Sequence, residues 1–230
     1  MKNTFNLIKS IQNLTRLEKG IWIGSLIVIA VSYLFLPDKD LLTLLASLVG
    51  ATALIFVGKG DPIGQLITII FAVFYGIISF RFRYYGEMIT YMCMTAPTAF
   101  VAMYSWLKNP YSEREVKVGN MTGRKWILLI LSTILVTAGM GVVLWLFDTN
   151  NLIFSTISVT TSFLASMLTV FRSPYYAVAY AANDVVLIIL WVLATIVEPQ
   201  YFPMIICFVI FLVNDTYGFI NWRRMMRKQK

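Results

Sequence analysis

The chain has 230 residues, of which 59% are apolar and 13% charged, against about half apolar and about a quarter charged in a soluble domain; with a mean hydropathy of +0.76, these proportions describe an integral membrane protein. The complete absence of histidine removes the commonest general base, metal ligand and proton switch, so a serine or cysteine triad, a zinc protease and a haem site are disfavoured and no cofactor is called for. A net charge of +8 would suit nucleic acid only if the charges formed a binding surface.

Residues 1–20 are mildly amphipathic, carry Lys2, Lys9, Arg16 and Lys19, and lack a small-residue cleavage pattern after an apolar core. They read as a cytoplasmic surface helix rather than a signal peptide. Eight apolar segments follow, at 21–36, 41–57, 62–80, 87–107, 126–147, 152–171, 176–197 and 201–222, most of them near the ~20 residues a helix needs to cross the hydrocarbon. The breaks carry turn chemistry: PDKD at 37–40, GKGD at 58–61, DTNN at 148–151, RSP at 172–174 and EPQ at 198–200. One connection is long, 108–125, and its charges read as a solvated loop with some capacity to dock a partner. Cys93 and Cys207 fall inside spans and read as packing residues.

Eight crossings place 16 of the 19 Lys and Arg residues on one side and leave Lys39, Arg81 and Arg83 on the other. The positive-inside rule then puts both termini in the cytoplasm. The basic balance is a topology signal, and nucleic acid is not needed to explain it.

The order of spans suggests an internal repeat. Segments 41–107 and 152–222 each contain three spans, each has a proline in its first break (Pro62, Pro174), and each ends in an aromatic cluster closing on Trp106 or Trp222. Tyr75-Gly76 in the first is matched with Asn183-Asp184 in the second. The span at 126–147 lies between the two and makes them parallel. The expected organisation is an N-terminal segment 1–20, one transmembrane domain over 21–225 and a basic tail at 226–230.

Ionisable side chains inside a bilayer are expensive and usually face a bundle interior or a pathway, which draws attention to Asn183-Asp184 and Asn214-Asp215. Asp184 lies about eight residues into its span, roughly 12 Å deep at 1.5 Å per residue, and Asn214 reaches a similar depth from the same side. Together they would offer acceptors and donors to sugar hydroxyls or a carboxamide; the alternative is that they merely lock two helices together. Tyr180 and Tyr217 stand four before Asp184 and three after Asn214, on the same helix faces, and their rings would suit a planar or cationic ligand. Gln65 and Trp106 are further candidates. Trp191 and Trp222 are open between site and belt, Trp22, Trp126 and Trp145 read as interfacial, and Glu87 reads as a solvated cap at the outer surface.

With Tyr85-Gly86-Glu87-Met88, Pro97 and Trp106 in the first half, and SFLAS (162–166), RSPYYAVAYAANDVV (172–186) and NDTYGFINW (214–222) in the second, the chain resembles the PnuC family of bacterial vitamin transporters over about 40–225. The resemblance implies an all-α, SWEET-like membrane protein: two parallel three-helix bundles joined by a linker helix, plus an N-terminal helix. It implies nicotinamide riboside as the substrate, facilitated diffusion, trapping by a cytosolic kinase in the service of NAD synthesis, an inner-membrane location among lipids, and assembly as a homotrimer. Many relatives carry Trp-x-x-Trp before the span-seven acid where this chain has Ala177 and Tyr180, and glutamine where it has Ser166. Thiamine or riboflavin is the runner-up substrate. A membrane enzyme lacks an interfacial acid cluster here, no Walker motif offers ATP coupling, and a scaffold subunit is the remaining alternative.

Overall fold

The computed structural model describes residues 6–34, 41–81, 84–149 and 151–229; the PDKD turn, Lys2, Lys39, Arg83, Asn150 and Lys230 lie outside the described residues. A short helix α1 (Leu7–Gln12) precedes α2 (Arg16–Leu34), α3 (Leu41–Lys59), α4 (Ile63–Arg81), α5 (Tyr85–Ile89) and α6 (Ala96–Lys108), a two-stranded hairpin β1 (Pro110–Ser112) and β2 (Glu115–Val116), then α7 (Gly123–Leu146), α8 (Leu152–Val170), α9 (Tyr176–Val197) and α10 (Phe202–Lys228). Among the described residues, α2, α3, α4, α7, α8, α9 and α10 are each long and apolar enough to cross a membrane alone.

The eighth crossing is made in pieces. Helix α5, a π-helical segment at Thr90–Thr95 and α6 run head to tail. Pro97 is the cause: it has no N–H to give back along the helix and its ring crowds the carbonyl four residues earlier, and a π bulge absorbs both defects by widening the turn before it.

The first span starts earlier than expected. Thr15 and Glu18 form a capping box, with Thr15 N–H donating to Glu18 Oε2 at 2.6 Å and Glu18 N–H to Thr15 Oγ1 at 3.3 Å. This ends the N-terminal segment at residue 15 and makes Arg16–Leu34 one helix. Glu18 also holds Lys59 Nζ of α3 at 3.1 Å.

The repeat is visible in hydrogen bonds. Helix α3 ends with Gly60 N–H on Val57 O and Asp61 N–H on Phe56 O; α8 ends with Arg172 N–H on Thr169 O and Ser173 N–H on Leu168 O. Both are Schellman closures, which need a left-handed residue after the helix, and Gly60 (φ 78°) and Arg172 (φ 58°) supply it. Asp61 Oδ1 then caps Ile63 N–H, and Ser173 Oγ caps Tyr175 N–H.

The two halves also cap each other. The last carbonyls of a helix have no intrahelical partner, and no water is at hand inside a bilayer to satisfy them. Trp222 Nε1 donates to Val57 O at 2.9 Å and Asn221 Nδ2 to Gly58 O at 2.9 Å, so α10 closes α3. Trp106 Nε1 donates to Thr169 O at 3.0 Å and Ser105 Oγ to Val170 O at 3.0 Å, so α6 closes α8. The two indoles meet with centroids 5.3 Å apart. Third helix therefore packs on the first helix of the other half, on both sides of the axis between the halves. Helix α2 lies on α3 as α7 lies on α8, and Gly58 and Gly218 let α3 and α10 approach, since a Cβ on Gly58 would stand 3.4 Å from Gly218 Cα.

The 108–125 loop is not a free solvated arm. Val116 N–H donates to Gly60 O and Gly119 N–H to Arg172 O, the two matching turn carbonyls. Gln229 of the tail accepts from Val118 N–H at 2.7 Å and donates to Val116 O at 3.1 Å. Arg114 donates to Ser10 Oγ of α1 at 2.5 Å and to Asn6 O at 3.2 Å, and Ser10 donates to Asp61 Oδ2 at 2.7 Å. Helix α1, Gln229 and both turns thus meet at one basic end. Burial pushes the Asp61 carboxyl above its ordinary value, while the Ser10 and Ile63 hydrogen bonds and the Arg114 and Lys59 charges pull the other way.

Candidate functional site

Between the halves, toward the basic end, lies a narrow chamber with about 50 Å³ open to the centre of a water molecule, room for about three to five waters at roughly 10–15 Å³ each. Its wall repeats the symmetry of the fold. Counted from the two turns, Val57 matches Thr169, Thr68 matches Tyr180 and Phe71 matches Asn183; counted from the two indoles, Thr95 matches Phe211. All eight line the chamber.

The helix geometry explains which predicted residues arrive. On α9, Tyr180, Asn183 and Asp184 share one face and all reach the chamber. Asn183 is anchored by α8: its Oδ1 accepts from Thr161 Oγ1 at 2.8 Å, Ser162 Oγ at 3.0 Å and Ser158 Oγ at 3.3 Å. Tyr180 OH is held by Ser166 Oγ at 3.2 Å. Asp184 Oδ2 has no hydrogen-bond partner among the described residues. From α10, Asp215 borders the same chamber and its carboxyl adjoins that of Asp184. Gln65 also lines it, and its Nε2 is unpartnered among the described residues.

Three predicted residues stand elsewhere. Asn214 faces α2, donating to Ser25 Oγ at 3.1 Å and back to Ile210 O at 2.8 Å. Tyr217, three residues on and therefore on that same face, donates to Glu18 Oε1 at 2.5 Å. Their shared helix face was legible, but it is the face next to Asp215's and it serves the N-terminal helix. Trp106 is fully buried at the basic end in the indole pair described above and closes the fold there.

The expected register of the repeat is also corrected. The turns pair Phe71-Ala72 with Asn183-Asp184, four residues from the Tyr75-Gly76 pairing; Tyr75 instead belongs to an aromatic cluster beyond the chamber, where its OH accepts from Trp191 Nε1 at 3.1 Å. The missed wall residues Phe71, Thr68 and Thr95 carry no polar signature of their own, though counting from Pro62 as one counts from Pro174 would have found the first two. Glu87 is no solvated cap: it is 3% exposed, and neither carboxylate oxygen has a hydrogen-bond partner among the described residues. Trp145 is exposed at the periphery as expected of a belt residue, Trp22 donates to Thr52 Oγ1 at 3.0 Å, Cys207 is buried and Cys93 is exposed.

Chemically, the chamber sets two carboxyl groups against the rings of Phe71, Tyr91, Tyr180 and Phe211, with amides at Gln65 and Asn183, and no Lys or Arg among the described residues on its wall. Such a lining receives a cation with a planar ring and hydrogen-bonding groups.

The family model described as nicotinamide mononucleotide transporter matches residues 40–224. The nicotinamide riboside transporter PnuC of Neisseria mucosa (strain ATCC 25996 / DSM 4631 / NCTC 10774 / M26) is 27% identical over 207 residues, covering 86% of this chain and 78% of that protein. The nicotinamide riboside transporter PnuC of Haemophilus influenzae (strain ATCC 51907 / DSM 11121 / KW20 / Rd) is 20% identical over 212 residues, 90% of each. A crystal structure of the vitamin B3 transporter PnuC superposes with a TM-score of 0.83 at 26% identity, over 95% of each chain.

Proposed function

The chain belongs to the nicotinamide mononucleotide transporter (PnuC) family, a family of transporters and not enzymes, and from that membership we propose that it carries nicotinamide riboside inward across a bacterial inner membrane by uniport. A cytosolic kinase then holds the product as its phosphate and feeds NAD synthesis. The observation that carries this reading is the adjoining pair Asp184 and Asp215 on an aromatic wall without a basic residue among those described. A pyridinium ring gains from both carboxyls and from the rings; the phosphate of the mononucleotide would face two acids and find no cation. The riboside is therefore favoured over the compound in the family's own description.

The chamber is too narrow for a nucleoside as it stands, which supports carriage by rocking of the two halves, with binding and release in different conformations. The 16-to-3 division of basic residues supports cytoplasmic termini. Assembly as a homotrimer belongs to the same proposal, and the mass of the detergent-solubilised particle tests it. Thiamine is a second reading, because its thiazolium is also a cationic ring; riboflavin is uncharged and has less to gain from the acids.

Purified protein in vesicles, without kinase, is offered labelled nicotinamide riboside, the mononucleotide, thiamine and riboflavin. Equilibration of the riboside without accumulation is expected. Accumulation against a gradient rejects uniport, and equilibration of the mononucleotide or of thiamine in preference to the riboside rejects the substrate.

A further inference from the structure

We propose that Glu87 and the rings around it form a second, outer cation-binding station, which takes the positively charged ring of the substrate on its way between the outer surface and the chamber. This rests on the substrate class proposed above.

Glu87 is 3% exposed, with neither carboxylate oxygen hydrogen-bonded among the described residues. A carboxyl inside a span is costly, and folds that retain one usually pair it. Its polar neighbour is the Ser158 hydroxyl of α8, which the acid shares with Asn183 Oδ1 at 3.3 Å; a single shared hydroxyl leaves a buried carboxylate short of donors. Tyr84 and Tyr91 stand three residues before and four after Glu87, its neighbours along the helix, and the phenol of Tyr75 on α4 lies within its electrostatic reach. Tyr75 and Tyr91 have ring centroids 4.2 Å apart, Tyr84 and Trp191 5.1 Å apart. A buried acid beside electron-rich rings is an arrangement that recognises a cationic heteroaromatic ring.

The station is continuous with the chamber. Glu87, Tyr91 and Thr95 follow one another at steps of four along the broken helix, and Tyr91 and Thr95 line the chamber. Glu87 therefore stands one turn further than Tyr91 toward the outer end. The rings come from α4 (Tyr75), from Tyr84 just before α5 and from the π-helical segment (Tyr91) in the first half, and from α9 (Trp191) in the second, so parting the halves at the outer end would open the station. Tyr75 is fully buried: in this conformation the station is shut while the chamber lies toward the basic end.

Right-side-out vesicles containing the protein are offered the cationic riboside and its reduced, uncharged form. Glu87→Gln keeps the shape and removes the charge. It is expected to raise the KM for inward transport of the cationic form about tenfold and to leave the KM of the uncharged form within twofold. An unchanged KM, or equal loss for both forms, overturns the station. If the Gln variant does not fold, Glu87→Asp is measured: retained preference for the cationic form supports the station and its loss overturns it. Wild-type protein that transports neither form sinks the substrate reading and the station with it, whereas a transporting wild type matched by Glu87→Gln sinks the station alone.

Discussion

The two halves of the molecule share a frame and differ in what they hang on it. Each closes its first helix with the same left-handed turn, and each lends an indole N–H and a second donor to the other's exposed carbonyls. Yet where the second half places Asp184, the first has Ala72, and where the second places Asp215, the first has Ala99; both alanines are buried in apolar surroundings. The frame is symmetric because helix ends in a membrane face the same deficit of hydrogen bonds in both halves. The acids are confined to one half; four carboxyls in so narrow a chamber would repel one another.

Ala72→Asp, which copies the second half's acid into the first, buries a charge with no partner among the described residues and is expected to cost roughly 3–5 kcal/mol; loss of the monodisperse folded peak in size-exclusion chromatography checks it. Asp184→Asn removes the charge where the halves do differ and is expected to weaken riboside binding at least tenfold, about 1.4 kcal/mol, with the melting temperature of the purified protein unchanged or raised. Calorimetric titration decides it, and undiminished affinity would leave the acid pair a helix lock.

Trp106→Phe and Trp222→Phe each strip the donor from one buried carbonyl, at about 1–3 kcal/mol. Near-equal losses of thermal stability in the two variants are expected if the halves cap each other alike, and a large inequality would show that one seam dominates. The smallest effect concerns the turns, where the first half has Asp61 and the second Ser173. Asp61 is held above its ordinary pKa by burial, so its contribution is fully present below the ordinary aspartate range and is lost as pH rises through the folded-state value. Asp61→Asn should flatten that part of the stability-against-pH curve, measured by thermal melts from pH 4 upward; an unchanged slope would assign it elsewhere.

Much of the frame was legible in the chain. Apolar runs, turn residues and the lopsided placement of Lys and Arg are local or additive properties, and they yield eight crossings and a parallel repeat. The capping box at Thr15 and Glu18 is equally readable, and it starts the first span ahead of the change in composition at residue 21. Of the site, Tyr180, Asn183 and Asp184 were found as polar groups in oily sequence, as was Asp215. Phe71 and Phe211 were not, since a ring on a chamber wall has the same sequence signature as a ring in the core.

The amino-acid sequence carries the one-dimensional content: which stretches are apolar enough to lie in the membrane, and which polar groups have been carried into it at a cost. Only the tertiary structure decided where those groups point. Successive positions on a helix stand about 100° apart, so Asn214 and Asp215, neighbours of similar polarity, look onto different helices; the first is occupied by Ser25 of α2 and the second opens on the chamber. Glu87 shows the same limit from the other direction, because an acid at the start of a span is solvated or sealed according to the rings that other segments bring over it.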